Sequence, residues 1–247
     1  MTLLVAHVSD LHLGAHDPRA AAGLAADVVA ARPGLTVVTG DSTMRARPRE
    51  FRLARQLLDR LPRPLLVVLG NHDVPLWSRR RVLDPYGAYR SGITDELDPV
   101  RRVPGLTALG LPSMPRWRWK NGRLTGRQAD LAARVLGDAP DGDVRLVAMH
   151  HPPGAGWLPG WDRLRRAARP DIVLAGHTHV PRVLPMDDCV IVVAGTATSH
   201  RTRGVPHSWS LISVSPAAFA ISERYLDDVG WYTARVVDVP RFSAAMS

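Results

Sequence analysis

At 247 residues, 45% hydrophobic and 22% charged, the chain has the composition of a folded globular protein with a sizeable core. No stretch approaches the roughly 20 consecutive apolar residues of a helical membrane span. The net charge of +9 admits anionic partners. Lys120 is nevertheless the only lysine among 32 basic residues, and the arginines are scattered rather than run together. That pattern reads as GC-rich coding, so nucleic acid is a possible partner but not the favoured one. Cys189 is the only cysteine, so no intrachain disulfide forms. The first residues lack a basic leader and a small-residue cleavage site, and they read as a strand. A cytoplasmic protein is expected.

Residues 2–9 predict a first strand, ending in Asp10-Leu11-His12. An Ala-rich helix over 19–31 follows, with Leu24 and Val28 at helical spacing, and Pro33-Gly34 stops it. A second strand over 35–39 ends in Gly40-Asp41. Pro48 opens a helix carrying Phe51, Leu53, Ala54, Leu57 and Leu58, and Pro62 closes it. The third strand, 66–69, runs into Gly70-Asn71-His72-Asp73. Strand, helix, strand, helix, strand predicts parallel pairing with right-handed crossovers. Ligands of such sheets sit beyond the carboxyl ends of the strands.

Residues 97–103 and 106–111 predict a strand pair, 112–120 a loop, and 125–136 a helix with Thr125 as N-cap and Gly137 after its end. A strand over 144–149 ends in His150-His151-Pro152-Pro153, and 161–168 is helical. The strand over 172–175 ends in Gly176-His177-Thr178-His179. The remainder reads as short strands over 190–194, 209–214, 219–225 and 232–239, with Cys189 as a small residue opening the first of them. No repeat or linker marks a domain boundary, so 1–247 reads as one domain.

Aspartate, histidine and asparagine gathered at strand ends suit a divalent metal such as Mn, Fe, Zn or Ni. Asp10-x-His12 and His177-x-His179 share an i, i+2 spacing, which on an extended segment points both side chains one way. With Asp41, Asn71 and His150 the set has seven members, too many for one tetrahedral ion and suited to two. Paired metals clamp the attacking and leaving oxygens of a phosphoryl displacement. Two divalent ions outweigh two carboxylates and a hydroxide, leaving a positive site for a phosphate ester. The neutral Asn71 amide ligates without cancelling that charge.

The five blocks Asp10-x-His12, Gly40-Asp41, Gly70-Asn71-His72-Asp73, His150 and Gly176-His177-x-His179 occur in order, each after an apolar run. Together they resemble the signature of the calcineurin-like metallophosphoesterases over residues 5–180. The His150-His151-Pro152-Pro153 form resembles the cyclic-nucleotide phosphodiesterase and glycerophosphodiesterase branch. The resemblance implies an α/β protein, a four-layer α/β/β/α sandwich with two central mixed β-sheets, and a binuclear site at their carboxyl edges. By motif position it implies Asp10, His12 and His179 on one ion, Asn71, His150 and His177 on the other, and Asp41 bridging. It implies that His72 stays off the metals as general acid and that Asp73 orients it. The implied reaction is hydrolysis of a small phosphate ester by a metal-bridging hydroxide, foremost of a diester such as a 3',5'-cyclic nucleotide. Rival readings are a nuclease, a phosphomonoesterase acting on phosphoprotein, nucleotide or lipid-linked phosphate, and a non-catalytic scaffold of the same fold. One departure stands out. Many relatives carry an acid or amide two or three residues after the bridging aspartate, where this chain has Ser42, Thr43 and Met44.

His151, His200 and Arg201 are candidate substrate contacts, the last two in the polar loop 195–203. His7, alternating with strand residues, reads as structural. Trp77, Trp117, Trp119 and Trp157 are candidates to floor a base-binding cleft, against the ordinary role of tryptophan in cores and rims.

Overall fold

In the computed structural model the described residues are 2–76, 78–118, 120–154 and 158–241. Trp77, Trp119 and Trp157 lie outside them.

The first half alternates as expected: β1 (Leu3–Val8), α1 (Pro18–Ala30), β2 (Leu35–Thr39), α2 (Pro48–Leu58) and β3 (Leu65–Val68). Two short helices, α3 (Arg79–Leu83) and α4 (Gly87–Gly92), precede an antiparallel pair, β4 (Val100–Val103) and β5 (Leu106–Gly110). Then come α5 (Gly126–Gly137), β6 (Val144–Ala148), α6 (Trp161–Ala168), β7 (Ile172–Ala175), β8 (Arg182–Pro185) and β9 (Val190–Val193). A meander closes the chain: β10 (Ser208–Val214), β11 (Ala218–Leu226) and β12 (Trp231–Pro240).

Helix starts follow local chemistry. Asp17 caps α1, its carboxylate accepting from the N–H of Arg19 and Ala20 ahead of Pro18. Thr125 and Gln128 form a reciprocal capping box on α5. Gly137 is the last residue of that helix rather than the residue after it.

Two six-stranded mixed sheets result, ordered β12-β11-β10-β1-β2-β3 and β4-β5-β6-β7-β9-β8. β1, β2 and β3 are parallel, as are β5, β6, β7 and β9. Alternation along each strand sorts apolar side chains into three seams. Val5, Val37, Leu66, Val68, Leu146 and Val192 fill the space between the sheets. Ala6, Val8, Val38 and Val67 face the other way, against Leu24 and Val28 of α1 and Phe51 and Leu57 of α2. Val147, Val173 and Ile191 pack on Ala129 and Leu136 of α5 and Leu164 of α6. The layers are therefore α/β/β/α, as the resemblance implies. No helix among the described residues is long and apolar enough to cross a membrane.

Candidate metal centre

The parallel strands of both sheets deliver their carboxyl ends to one place. Asp10 and His12 follow β1, Asp41 follows β2, Asn71 and His72 follow β3, His150 follows β6, and His177 and His179 follow β7. Backbone crowding there requires glycine. A Cβ on Gly70 would overlap the Asp41 carboxylate and main chain, and Gly40 (φ +91°) has Gly70 and His150 against it.

The i, i+2 pairs are not presented by extended backbone. Asp10, His12, Asp41, His177 and His179 all have positive φ, between 47° and 70°. This corrects the extended-segment expectation: left-handed residues, not strand alternation, aim these side chains. Aspartate and histidine tolerate that region better than most residues. Main-chain clasps hold it in place. Thr196 Oγ1 donates to the Asp10 carbonyl (2.7 Å) and Thr198 Oγ1 to the Leu11 carbonyl (2.5 Å).

Two donor sets form. In one, Asp10 Oδ1 lies 3.6 Å from His12 Nε2 and 3.2 Å from His179 Nε2, with the two imidazole nitrogens 3.2 Å apart. In the other, Asn71 Oδ1 lies 3.1 Å from both His150 Nε2 and His177 Nδ1, which are 3.3 Å from each other. His177 and His179 thus serve different sets. Asp41 Oδ2 stands between the two, 3.5 Å from His12 Nε2 and 3.3 Å from His150 Nε2. Its other oxygen accepts the His72 backbone N–H at 2.8 Å.

The donor chemistry fits divalent cations. Asp10 Oδ1 is buried without a hydrogen-bond partner among the described residues, while Oδ2 is fully engaged by Ser9 Oγ (2.6 Å) and the His177 N–H (3.0 Å). Backbone carbonyls take the Nδ1–H of His150 (Thr39), His179 (Arg201) and His72 (Met44). In their neutral forms His150 and His179 therefore each present a bare Nε2 lone pair to the centre, as a metal ligand requires. Burial opposes a charged His150 imidazole, yet the Asp41 carboxylate beside it lifts it to about 9. Burial likewise works against ionisation of Asp10, but His12 and His179 hold it well below the usual carboxylate range. The pocket favours positive charge at its centre.

Other expected residues fall out differently. Asp73 does not touch His72. Its carboxylate accepts from the N–H of Gly70 (2.9 Å), Ser42 (3.2 Å) and Thr43 (2.8 Å) and from Thr43 Oγ1 (3.0 Å). The Met44 carbonyl, 2.7 Å from His72 Nδ1, orients the ring instead. Hence the departure at Ser42-Thr43-Met44 is filled: Ser42 and Thr43 tie the Asp41 loop to the Asn71 loop through Asp73, and Met44 does so through His72. Burial first, and then the Asp41 charge, push the Asp73 carboxyl up to about 6.

His151 has a ring nitrogen within 4.8 Å of donors on His150 and His177. Both its nitrogens are already engaged, Nδ1 with Ser113 Oγ and Nε2 with the Lys120 carbonyl, each at 2.8 Å. Buried to 4% exposure, it offers substrate no free polar atom, contrary to expectation. His200 is exposed and does not line the groove over the two donor sets, also contrary to expectation, whereas Arg201 does line it. Trp117 is 71% exposed and stands outside that groove. His7 is buried against Thr39 Oγ1 (2.9 Å), its pKa lowered by burial to about 3, which is a structural role. Cys189 is buried immediately before β9, as expected of a structural residue. Ser9, Thr43, Thr196 and Thr198 escaped sequence reasoning, because a hydroxyl beside a strand end looks like any turn residue.

An α/β/β/α sandwich with histidine, aspartate and asparagine side chains gathered over its parallel strand ends defines a metallohydrolase-type site. Residues 3–181 match the calcineurin-like phosphoesterase family, and the chain belongs to it. It is 30% identical over 196 residues to a probable cyclic nucleotide phosphodiesterase from Synechococcus sp., covering 74% of this chain and 72% of that one. It is 38% identical over 82 residues to the glycerophosphodiester phosphodiesterase GpdQ of Enterobacter lignolyticus, covering 29% of this chain and 30% of that one. Purple acid phosphatase PPD1 from yellow lupin seeds shares the fold, with a TM-score of 0.75 at 10% identity, covering 98% of this chain and 54% of that one.

Proposed function

We propose that the chain is a binuclear metal-dependent phosphodiesterase acting on small diesters, with 3',5'-cyclic nucleotides as the leading candidates. The observation that carries this is Asp41 Oδ2, placed between two sets of donor atoms, in each of which one imidazole (His179, His150) gives its Nδ1–H outward to a backbone carbonyl. Asp10, His12 and His179 would hold one cation and Asn71, His150 and His177 the other, with Asp41 shared. Bound there, two divalent cations supply Lewis acidity to phosphoryl oxygens and lower the pKa of water at the centre.

The chain's own residues do the rest. Met44 fixes the His72 ring through its Nδ1–H, so Nε2 would donate to the leaving oxygen from the imidazolium form. Burial lowers the His72 pKa and the Asp41 carboxylate pulls it up, so falling pH favours the donating form. His72 and His12 meet edge to face, with centroids 4.8 Å apart, which places His72 beside the first donor set. The diester preference rests on the relatives named for phosphodiesterase activity. With Mn²⁺ added, bis(p-nitrophenyl) phosphate and cyclic AMP are expected to be hydrolysed faster than p-nitrophenyl phosphate. Turnover of the monoester with none of either diester would overturn the assignment.

A further inference from the structure

The groove over the donor sets has a volume of about 1030 Å³ and gathers Arg45, Arg47, Arg80, Lys120, Arg201 and Arg203, with Asp41 the only acidic residue in its lining. Five arginines and Lys120, separated in sequence, are thus brought to one groove by the fold. None of the six side chains forms an ion pair among the described residues, and the groove lining offers them no carboxylate other than Asp41.

Three of the contributing loops are fastened to site imidazoles by main-chain carbonyls. Met44, beside Arg45, accepts from His72 Nδ1 at 2.7 Å. Lys120 accepts from His151 Nε2 at 2.8 Å, and Arg201 from His179 Nδ1 at 2.5 Å. The cation-bearing backbone is therefore tied to imidazoles of the site, one of them the candidate ligand His179.

A diester such as a cyclic nucleotide carries one negative charge, which the donor-set end of the groove would meet. Six further cations without acidic partners exceed that need and repel one another. Their natural complement is additional phosphate, which guanidinium groups bind through paired N–H donors. The cations come from four separate segments and so surround one cavity instead of following a strip along one element. That cavity has the size of a nucleotide-scale ligand. Val74, Pro75 and Leu76 add an apolar wall for an organic body.

We propose that the groove takes a small organic phosphate ester carrying a second, non-scissile phosphate, held by Arg45, Arg47, Lys120, Arg201 and Arg203 while the first lies at the donor sets. This rests on the phosphoesterase reading of the site, but its test is a binding measurement and needs no turnover.

Calorimetric titration of the Mn²⁺-supplemented protein compares adenosine 3',5'-bisphosphate with AMP. The bisphosphate is expected to bind at least tenfold tighter, with the preference shrinking as salt rises. Arg45→Ala/Arg47→Ala and Arg201→Ala/Arg203→Ala, all at exposed positions, should each reduce the preference severalfold, and the corresponding lysine pairs should restore part of it. Equal affinities, or a preference untouched by both alanine pairs, would overturn the proposal. So would affinity for single-stranded oligonucleotides that keeps rising with length beyond a dinucleotide, since that marks a polynucleotide track. If the bisphosphate preference is found but no ester is turned over, the binding proposal stands and the catalytic reading fails.

Discussion

His72 and Asp73 are neighbours with separate duties. His72 sends its backbone N–H to Asp41 Oδ1 and its Nδ1 to the Met44 carbonyl, so its ring is steered from the opposite loop. Its proposed role, a proton donor that stays off the metals, gives a sharp prediction. His72→Ala should retain both ions by elemental analysis and lose turnover by about 10²–10⁴-fold, most for diesters with poor leaving groups. A ring nitrogen of His72 also lies within 4.8 Å of ligand atoms of His12 and Asp41. Loss of an ion in this variant would therefore reassign His72 as a ligand. Asp73 is a clasp between two loops. Asp73→Asn turns one acceptor oxygen into a donor facing N–H groups and should cost about 2–3 kcal/mol in urea denaturation, with weakened metal retention. Had Asp73 oriented the imidazole, the same variant would leave stability intact and move only the pH profile.

At the scale of the elements, the strand ends carry the function, and they are what sequence reveals best. The apolar runs leading to Asp10, Asp41, Asn71, His150 and His177 are short, bounded by Gly or polar residues, and nearly all became strands within a residue of expectation. They are legible because a strand buried on both faces must be continuously apolar. What escaped is structure without that signature. α3 and α4 have five and six residues, too few for helical periodicity, and α4 begins and ends in glycine. β8 is an exposed edge strand ending in proline, lacking any alternation. The ligand set was visible in residue types, but its aiming was not. Positive φ at five of the ligand candidates has no sequence signature, and the Thr196 and Thr198 clasps on Asp10 and Leu11 come from a loop about 185 residues away, which no local pattern reports. The join of β2 and β3 at Gly70 yields a test. Gly70→Ala places a methyl group onto Asp41 and should cost about 3 kcal/mol or more by thermal or urea unfolding, together with metal content. A variant with unchanged stability and metal content would show that the two loops yield freely.

Across the whole molecule, the two sheets and their helices place the site, and stability can be separated from function. Asp27 on α1 accepts from Trp209 Nε1 (2.9 Å) on β10 and pairs with Arg224 (2.5 Å) on β11, and none of the three belongs to the donor sets. Asp27→Ala leaves a largely buried guanidinium without its partner and should cost about 2–3 kcal/mol in urea denaturation while keeping metal stoichiometry and KM. A fall in bound metal would mean that the helical layer is coupled to the site. The fold is shared with a purple acid phosphatase at 10% identity, and fold alone does not assign activity. The assignment stands on the donor sets and on the single carboxylate oxygen between them. Elemental analysis of the wild-type protein and of Asp41→Ala, each reconstituted with Mn²⁺ and freed of loosely held ions, tests this most directly. Two ions per chain in the wild type and no more than one in Asp41→Ala are predicted. One ion or fewer in the wild type, or two in both proteins, would contradict a centre bridged by Asp41.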